Sequence, residues 1–452
     1  MGPENGEGQP GRKSISPESC SDPYLRCAFH GAALTALGVS GSALLAHSPQ
    51  GCEYLVNAAF AAQECDYMET MTLCTKLCVD EIVHGGEDIL ARTIREVKAL
   101  PIAALFVISA CGPEIVGDDI AAVCESLQPE VKFRLVPIAS PGFYGSQYDG
   151  IDIALDTILK RLVDGSAEKV PGSVCLIAPH ANANPTWPAD LAWAKQVLAR
   201  MDIPVISTLT HRTPLAEITS TAAAETCIVL SHDAGQKAAD FLAAAHGTEQ
   251  VCRGIPLPIG MTNTQRWLSA LGERFDRQKM AEEMVAEGER MVTATCRRKW
   301  PMGRFLYRTP AAIIADATVG IPLVRFVTEE MEMTPGLVAL YSGNRLVREL
   351  LDRELKSLGL APKLVYGTDV YRTREGLKEV LPRVVFGSTI ERHAAEGLGI
   401  PYIVEVVKMM RQFRMTNREY FGYTGILNLF EAVQNEWTMA WRSKEKRYQA
   451  KW

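Results

Sequence analysis

The sequence predicts an α/β protein of three Rossmann-like domains, each a mainly parallel sheet flanked by helices. Three observations lead there. From Tyr24 onward, short β-branched runs alternate with helical stretches, the pattern of strands joined by helical crossovers. The chain is 452 residues long, and at roughly 150 residues per domain three is the natural count. Two breaks in the alternation fall near the thirds of the chain.

In order, strands are expected at Ile102–Ser109, Lys132–Ile138, Ser173–Ile177, Val205–Thr208, Thr226–Leu230, Ala311–Ala315, Thr334–Leu340, Lys363–Tyr366 and Val384–Phe386. Helices are expected between them at Ile151–Leu162, Leu191–Met201, Gly235–Ala245, Gln278–Thr295, Ile321–Met331 and Asn344–Leu358. Residues 1–21, rich in Gly, Pro, Glu and Ser, read as a disordered tail. The first domain is expected over 22–165, ending at Gly165-Ser166-Ala167. The second covers 166–300, ending near Trp300-Pro301-Met302-Gly303, and the third covers 301–452 with a C-terminal helical segment. In such folds ligands collect where strands run into helices.

The formal charge of -6 provides no basic stripe, which argues against nucleic acid or an anionic membrane as the main partner. Apolar runs such as Ile102–Ala110 end long before the ~20 residues a bilayer requires, and the start has no apolar signal-peptide core. A cytoplasmic location is expected. Twelve cysteines in a reducing compartment serve packing, metal binding or chemistry, not disulfides.

Cys27 lies in Arg26-Cys27-Ala28-Phe29-His30-Gly31-Ala32, and Cys52 closes His47-Ser48-Pro49-Gln50-Gly51-Cys52; both segments read as loops. Cys111 follows a strand and precedes Gly112-Pro113-Glu114-Ile115-Val116-Gly117-Asp118-Asp119-Ile120, where Asp118 or Asp119 suits a helix cap. Thiolates are soft ligands for iron-sulfur clusters, and neighbouring glycine lets backbone amides approach the sulfurs. A single such cysteine is more often a core thiol. Three in Gly-rich segments point to a site. Cys74 and Cys78 have the spacing of one helix face, but with Cys65 they lack a convergent second pair and are assigned no metal. Cys124, Cys175, Cys227, Cys252 and Cys296 read as core thiols, and Cys20 lies in or near the tail. His30 and His47 flank the candidate ligands, with hydrogen bonding to sulfur and loop structuring as the two readings. His232 reads as a hydrogen-bonded structural group.

These residues, in this order, resemble a known family. The run from Cys27 to Cys52, Gly85-Gly86 after Asp80-Glu81, Ser109-Ala110-Cys111 with Glu114-Ile115-Val116-Gly117-Asp118-Asp119, Pro141-Gly142-Phe143-Tyr144-Gly145-Ser146, Pro256-Leu257-Pro258-Ile259-Gly260 with Thr264, and Gly422-Tyr423-Thr424-Gly425 together resemble the subunits of nitrogenase component 1 and their relatives. The resemblance implies that Cys27, Cys52 and Cys111 hold half of an iron-sulfur cluster shared with a homologous α-type subunit. That cluster is expected to be an [8Fe-7S] P-cluster, with [4Fe-4S] as the alternative, since three thiolates fit half of one or most of the other. Ser146 stands where some β subunits place a serine that ligates the oxidised cluster, against a turn or helix-capping role. Ser231 and Phe421 stand where α-type chains carry the cysteine and histidine ligands of the catalytic cofactor. The resemblance is therefore to a β-type subunit, with the catalytic metallocluster in the partner chain.

The chain has no Gly-x-x-x-x-Gly-Lys-Ser/Thr phosphate loop, so the ATP-hydrolysing donor implied by the resemblance is a separate homodimeric iron protein docking on an α2β2 heterotetramer. Val404-Glu405-Val406-Val407-Lys408-Met409-Met410 departs from the Gly-Phe-Pro and Asp-Arg pattern of nitrogenase β subunits. Among nitrogenase-like relatives the preferred expectation is methylthio-alkane reductase, which cleaves carbon-sulfur bonds of small thioethers. The alternatives are an iron-only or vanadium nitrogenase β subunit and a non-catalytic scaffold for cofactor assembly.

Overall fold

The computed structural model describes residues 26–63, 70–180, 184–299, 306–367, 369–409 and 418–444. The expected tail over 1–21, the break at Trp300–Gly303, Cys20 and Cys65 lie outside the described residues.

The described strands form three parallel sheets. The first contains β1 (Ser42–His47), β2 (Met71–Cys74), β3 (Ala104–Ser109) and β4 (Arg134–Ala139) in the order β2-β1-β3-β4. In the second, β5 (Val170–Ile177), β6 (Val205–Leu209), β7 (Ala224–Val229) and β8 (Glu249–Val251) run β8-β7-β5-β6. The third takes β9 (Pro310–Ala315), β10 (Thr334–Leu340), β11 (Lys363–Tyr366), β12 (Val384–Gly387) and β13 (Tyr402–Glu405) in the order β11-β10-β9-β12-β13. A short parallel pairing of Val39–Ser40 with Thr213–Pro214 ties the first sheet to the second.

All nine expected strands are present, and the three sheets contain four more that were not anticipated, β1, β2, β8 and β13, besides the two-residue pair at Val39–Ser40 and Thr213–Pro214. β1 is Ser-Ala-Leu-Leu-Ala-His, buried at every residue. It lacks the β-branched residues that mark a strand locally, and burial on both faces, not propensity, makes it one. β2 and β8 are short edge strands.

Four helices of the first domain matter for function: α1 (Ala28–Leu37), α2 (Gln50–Gln63), α3 (Cys111–Val116) and α4 (Gln147–Leu162). In the order β2-β1-β3-β4 the connections turn opposite ways on either side of the β1/β3 pair. The crevice beyond their carboxyl ends is the place where such sheets bind ligands. α2 leaves β1 there, and α3 leaves β3.

α1 is buried along its whole length and crosses α4 at backbone contact. A Cβ on Gly31 would stand 1.8 Å from the Gln147 carbonyl oxygen, and one on Gly150 1.8 Å from that of Ala28. The amino ends of the two helices are also bonded together, Ala28 N–H to Gly145 O at 2.9 Å and Gln147 N–H to Arg26 O at 2.6 Å. Cys27 and Ser146 pair across this junction as an isolated antiparallel bridge.

Buried carboxylates join the remaining parts. Asp233, after β7, accepts the Ala317 and Thr318 N–H groups at 2.9 and 2.8 Å and so anchors the helix that follows β9. Asp190 accepts the Tyr420 and Phe421 N–H groups at 2.7 and 2.9 Å and holds the start of the C-terminal helix, Gly422–Lys444, against the second domain. Among the described residues no helix is long and apolar enough to cross a membrane.

Replacing Gly150 with Ala forces α1 and α4 apart at a contact between backbones, where nothing flexible can yield. Overpacking of this kind costs about 1–3 kcal/mol or more, so thermal unfolding of Gly150→Ala is expected several degrees below wild type. An unchanged melting temperature would mean that the crossing is not rigid.

Candidate metal centre

The three candidate cysteines do not lie in loops, as the sequence suggested. Cys27 is the N-cap of α1, Cys52 falls in the first turn of α2, and Cys111 is the first residue of α3. The connections are too short to form loops, so each helix starts almost at once and carries its thiol at its amino end.

The structure brings the three together. The N–H of Gly142, in the turn after β4, donates to Cys111 Sγ at 3.1 Å. A Cβ on Gly142 would meet Cys111 Sγ at 3.1 Å and Cys27 Sγ at 3.2 Å, so both sulfurs face one glycine that only the absence of a side chain leaves open. Burial pushes the Cys52 thiol above its usual range, and nearby Cys27, Cys111 and Cys74 add to the shift in that order. Crowded thiols that resist ionisation are stabilised as thiolates by a bound cation. Cys27 is exposed, and Cys52 and Cys111 are half-buried.

Among the described residues no group of three His, Cys, Asp or Glu closes on a single metal ion. The donor set is all thiol and spread around a glycine-lined hollow. That chemistry suits a polynuclear iron-sulfur cluster, in which different irons take different thiolates.

Ser146 is the N-cap of α4, opposite Cys27. Its hydroxyl donates to Asp149 Oδ2 at 2.8 Å and its N–H to the same oxygen at 2.9 Å. In this conformation it serves the helix cap.

His47 ends β1, fully buried. Burial lowers its pKa against the opposing pull of Asp118, so the ring is neutral. Its Nε2–H donates to Asp118 Oδ2 at 3.0 Å, and Nδ1 accepts from Thr75 Oγ1 at 3.2 Å. Both nitrogens are used, which removes His47 as a donor to sulfur. The second Asp118 oxygen accepts the Gly86 N–H at 2.8 Å. Asp119, not Asp118, caps the next helix, through Ala122 N–H at 2.9 Å. The His47–Asp118 clasp thus joins the ends of β1, β2 and the segment after β3, a role invisible in the sequence because its partners are 71 residues apart.

Cys74 and Cys78 do not share a helix face. Cys74 ends β2 and Cys78 caps the short helix Val79–His84, because Lys76, with a positive φ of 57°, turns the chain between them.

Large apolar side chains stand exposed around the thiols. Tyr54 and Leu55 follow Cys52, Ile115 and Val116 follow Cys111, and Phe143 and Tyr144 follow Gly142. Ile115 is 74% and Tyr54 67% exposed. A contiguous group of this kind marks an interaction surface.

Neither Ser231 nor Phe421, which stand where a second cofactor would be held, supplies a thiolate or an imidazole, although Ser231 and His232 line a cleft of ≈ 550 Å³. Ser231 Oγ bonds Thr318 Oγ1 at 2.9 Å, and His232 Nε2 accepts the Leu257 N–H at 3.1 Å as a structural group. Phe421 packs edge-on to Trp193 at 6.0 Å between centroids. With Trp187, Asp190 and Leu230 it lines a gap of only ≈ 20 Å³, room for about one water.

Residues 27–438 match the family of nitrogenase component 1 type oxidoreductases, beginning at the first of the three cysteines. The chain belongs to that family. As a component 1 chain it is 24% identical over 448 residues to the nitrogenase molybdenum-iron protein beta chain of Methanococcus maripaludis, covering 92% of this chain and 93% of that one. It is 26% identical over 456 residues to the nitrogenase iron-iron protein beta chain of Rhodobacter capsulatus, covering 92% and 94%. Over a shorter stretch of 168 residues, 36% of this chain and 30% of the relative, it is 33% identical to the nitrogenase iron-molybdenum cofactor biosynthesis protein NifE of Bradyrhizobium diazoefficiens. The fold matches a solved structure of nitrogenase Cp1 at pH 6.5 with a TM-score of 0.81 at 18% identity, over 98% of this chain and 97% of that one.

Asp118→Ala touches no sulfur yet leaves the His47 Nε2–H and the Gly86 N–H buried without acceptors. Each such loss costs about 1–3 kcal/mol. The component 1 chain carrying it is expected to melt lower and to retain less iron after anaerobic purification than wild type. Wild-type iron content in Asp118→Ala would show that the clasp does not position the thiols.

Proposed function

We propose that this chain is the β-type subunit of a nitrogenase-like two-component reductase, and that Cys27, Cys52 and Cys111 hold its half of an iron-sulfur cluster shared with a homologous α-type subunit. The observation that carries this reading is the convergence of the Cys27 and Cys111 thiols on Gly142, with Cys52 close to both and exposed apolar side chains beside the site. A half-site open on its thiol face calls for a partner that supplies the other ligands and covers the apolar rim.

Bound there, a cluster supplies one-electron transfer at a potential set by its surroundings. The chain's own residues do the rest. The Gly142 N–H stabilises the Cys111 thiolate, and the exposed tyrosines and aliphatic residues exclude water once buried against the partner. The [8Fe-7S] P-cluster is the preferred occupant, with three further thiolates from the partner; a [4Fe-4S] cluster needs only one more. Ser146, if released from Asp149, would be the residue to add a ligand to the larger cluster in its oxidised form, against the helix-capping role it has here. Assembly as an α2β2 heterotetramer in the cytoplasm follows from this role, with a homodimeric ATP-hydrolysing iron protein delivering electrons. Ser231 and Phe421 supply neither a thiolate nor an imidazole for a catalytic metallocluster, which is assigned to the α-type partner.

For the substrate, the departure at Val404–Met410 from the usual β-subunit pattern argues against a standard dinitrogen reductase, and the full three-cysteine set favours reductive carbon-sulfur cleavage of methylthio-alkanes, with an iron-only or vanadium nitrogenase β subunit as the alternative. A second reading, a non-catalytic scaffold for cofactor assembly, draws support from the 33% identity to a cofactor biosynthesis protein.

One preparation tests these readings. The chain, co-expressed with its homologous partner and purified anaerobically, is expected to carry iron and sulfide, lost in Cys111→Ala, and to release hydrocarbon from a methylthio-alkane with iron protein and ATP. Iron-free protein would overturn the cluster assignment, and ammonia without thioether turnover would overturn the substrate. Transfer of the cluster to an apo-reductase with no turnover would move the chain to the scaffold class.

A further inference from the structure

The junction between the second and third domains holds a carboxyl group far from any base. Helix Met261–Phe275 starts behind Gly260, which has a φ of 92° and no side chain to cap it. The cap comes from the third domain instead. Glu330 ends a π-helical turn, Phe326–Glu330, and its Oε1 accepts the Met261 N–H at 2.6 Å. A Cβ on Gly260 would stand 2.7 Å from that oxygen, so the fit also depends on the glycine. The preceding residue, Glu329, accepts the Thr262 hydroxyl at 2.9 Å. The wide turn thus sets two consecutive carboxyls on the first turn of one helix.

The two are not equivalent. Glu329 is matched by Arg325, whose Nη1 lies 2.6 Å away. No cation is bonded to Glu330 among the described residues, and its Oε2 is buried without a hydrogen bond. The ionisable groups that face Glu330 are all acids. Glu329 is beside it, and Tyr423 comes from the start of the C-terminal helix; burial, then Glu289 and Glu330, hold the Tyr423 hydroxyl above its usual range. One backbone N–H shared between two oxygens, one of them with no donor, favours the uncharged acid. Burial raises the Glu330 pKa to about 8, against the Met261 N–H and with a smaller push from Glu329.

We propose that Glu330 is a proton-operated latch between the second and third domains: uncharged, it seats on the amino end of helix Met261–Phe275, and loss of the Oε2 proton to solvent loosens that seat. The latch is independent of the cluster reading. Unseated, the carboxyl ionises near its ordinary 4.5; seated, it keeps its proton to about 8. The seated form therefore holds the extra proton between those values, and its stability falls as pH rises through that window and levels off above it.

The test is hydrogen exchange read by mass spectrometry on the full chain in complex with its partner, over residues 258–265 and 326–331, at pH 6, 7 and 8 and corrected for intrinsic exchange. Glu330→Gln keeps an acceptor for the Met261 N–H and cannot ionise. In wild type, opening of both segments is expected to increase by roughly tenfold per pH unit below the seated pKa. In Glu330→Gln it is expected to stay near the wild-type level at pH 6 throughout. Infrared difference spectra of wild type with isotope-labelled glutamate give a second readout, which remains available if Glu330→Gln fails to fold: a protonated-glutamate band that titrates near pH 8, separated by the label from buried aspartates such as Asp190. The same pH dependence of opening in Glu330→Gln as in wild type, or the lack of that band, would overturn the latch.

Discussion

The first sheet's reversal of strand order between β1 and β3 is the constraint on which the rest of the site depends. Two adjacent parallel strands send their chains to opposite faces, and the crevice between them receives the amino ends of α2 and α3 with Cys52 and Cys111. Nothing at the level of single residues would hold those thiols together without this topology. The His47–Asp118 clasp then fixes the strand ends relative to each other. The backbone contact of α1 with α4 brings Cys27 to the same hollow. Three thiols far apart in sequence thus share one environment because three separate packing devices agree.

The energetics explain why the site faces outward. Burial and the neighbouring thiols hold the Cys52 thiol above its usual range, and the exposed aromatic and aliphatic side chains near the site are unfavourable in water. Both costs are relieved by the same event, the docking of a second subunit that brings ligands and covers apolar surface. Buried Asp190 and Asp233 spend their lone pairs on backbone N–H groups from distant segments, and Phe421 fills the space between the second domain and the C-terminal helix.

Much of this was legible in the sequence. Long β-branched runs such as Thr334–Leu340 and Lys363–Tyr366 were assigned to the residue, because periodicity and composition agree there. β1 was not, because Ser-Ala-Leu-Leu-Ala-His carries no local strand signal and owes its conformation to neighbours on both sides. Cys27, Cys52 and Cys111 were identifiable as a set from their context and order, yet their placement at helix starts was not, since glycine beside cysteine suggests a loop. Asp118 looked like a helix cap because its neighbour is one. Its real partner, His47, is distant in sequence. The Pro141-Gly142 turn was quoted as a motif, but that Gly142 needs to lack a side chain follows only from two sulfurs within van der Waals reach.

The central claim is that Cys27, Cys52 and Cys111 together hold a polynuclear iron-sulfur cluster at the subunit interface. Iron K-edge X-ray absorption of the complex with its partner tests it most directly. The account predicts a first shell of sulfur with a strong iron-iron shell behind it, both diminished when Cys52 is replaced by alanine. A spectrum with light-atom ligands and no iron-iron scattering, or one that Cys52→Ala leaves unchanged, would contradict it.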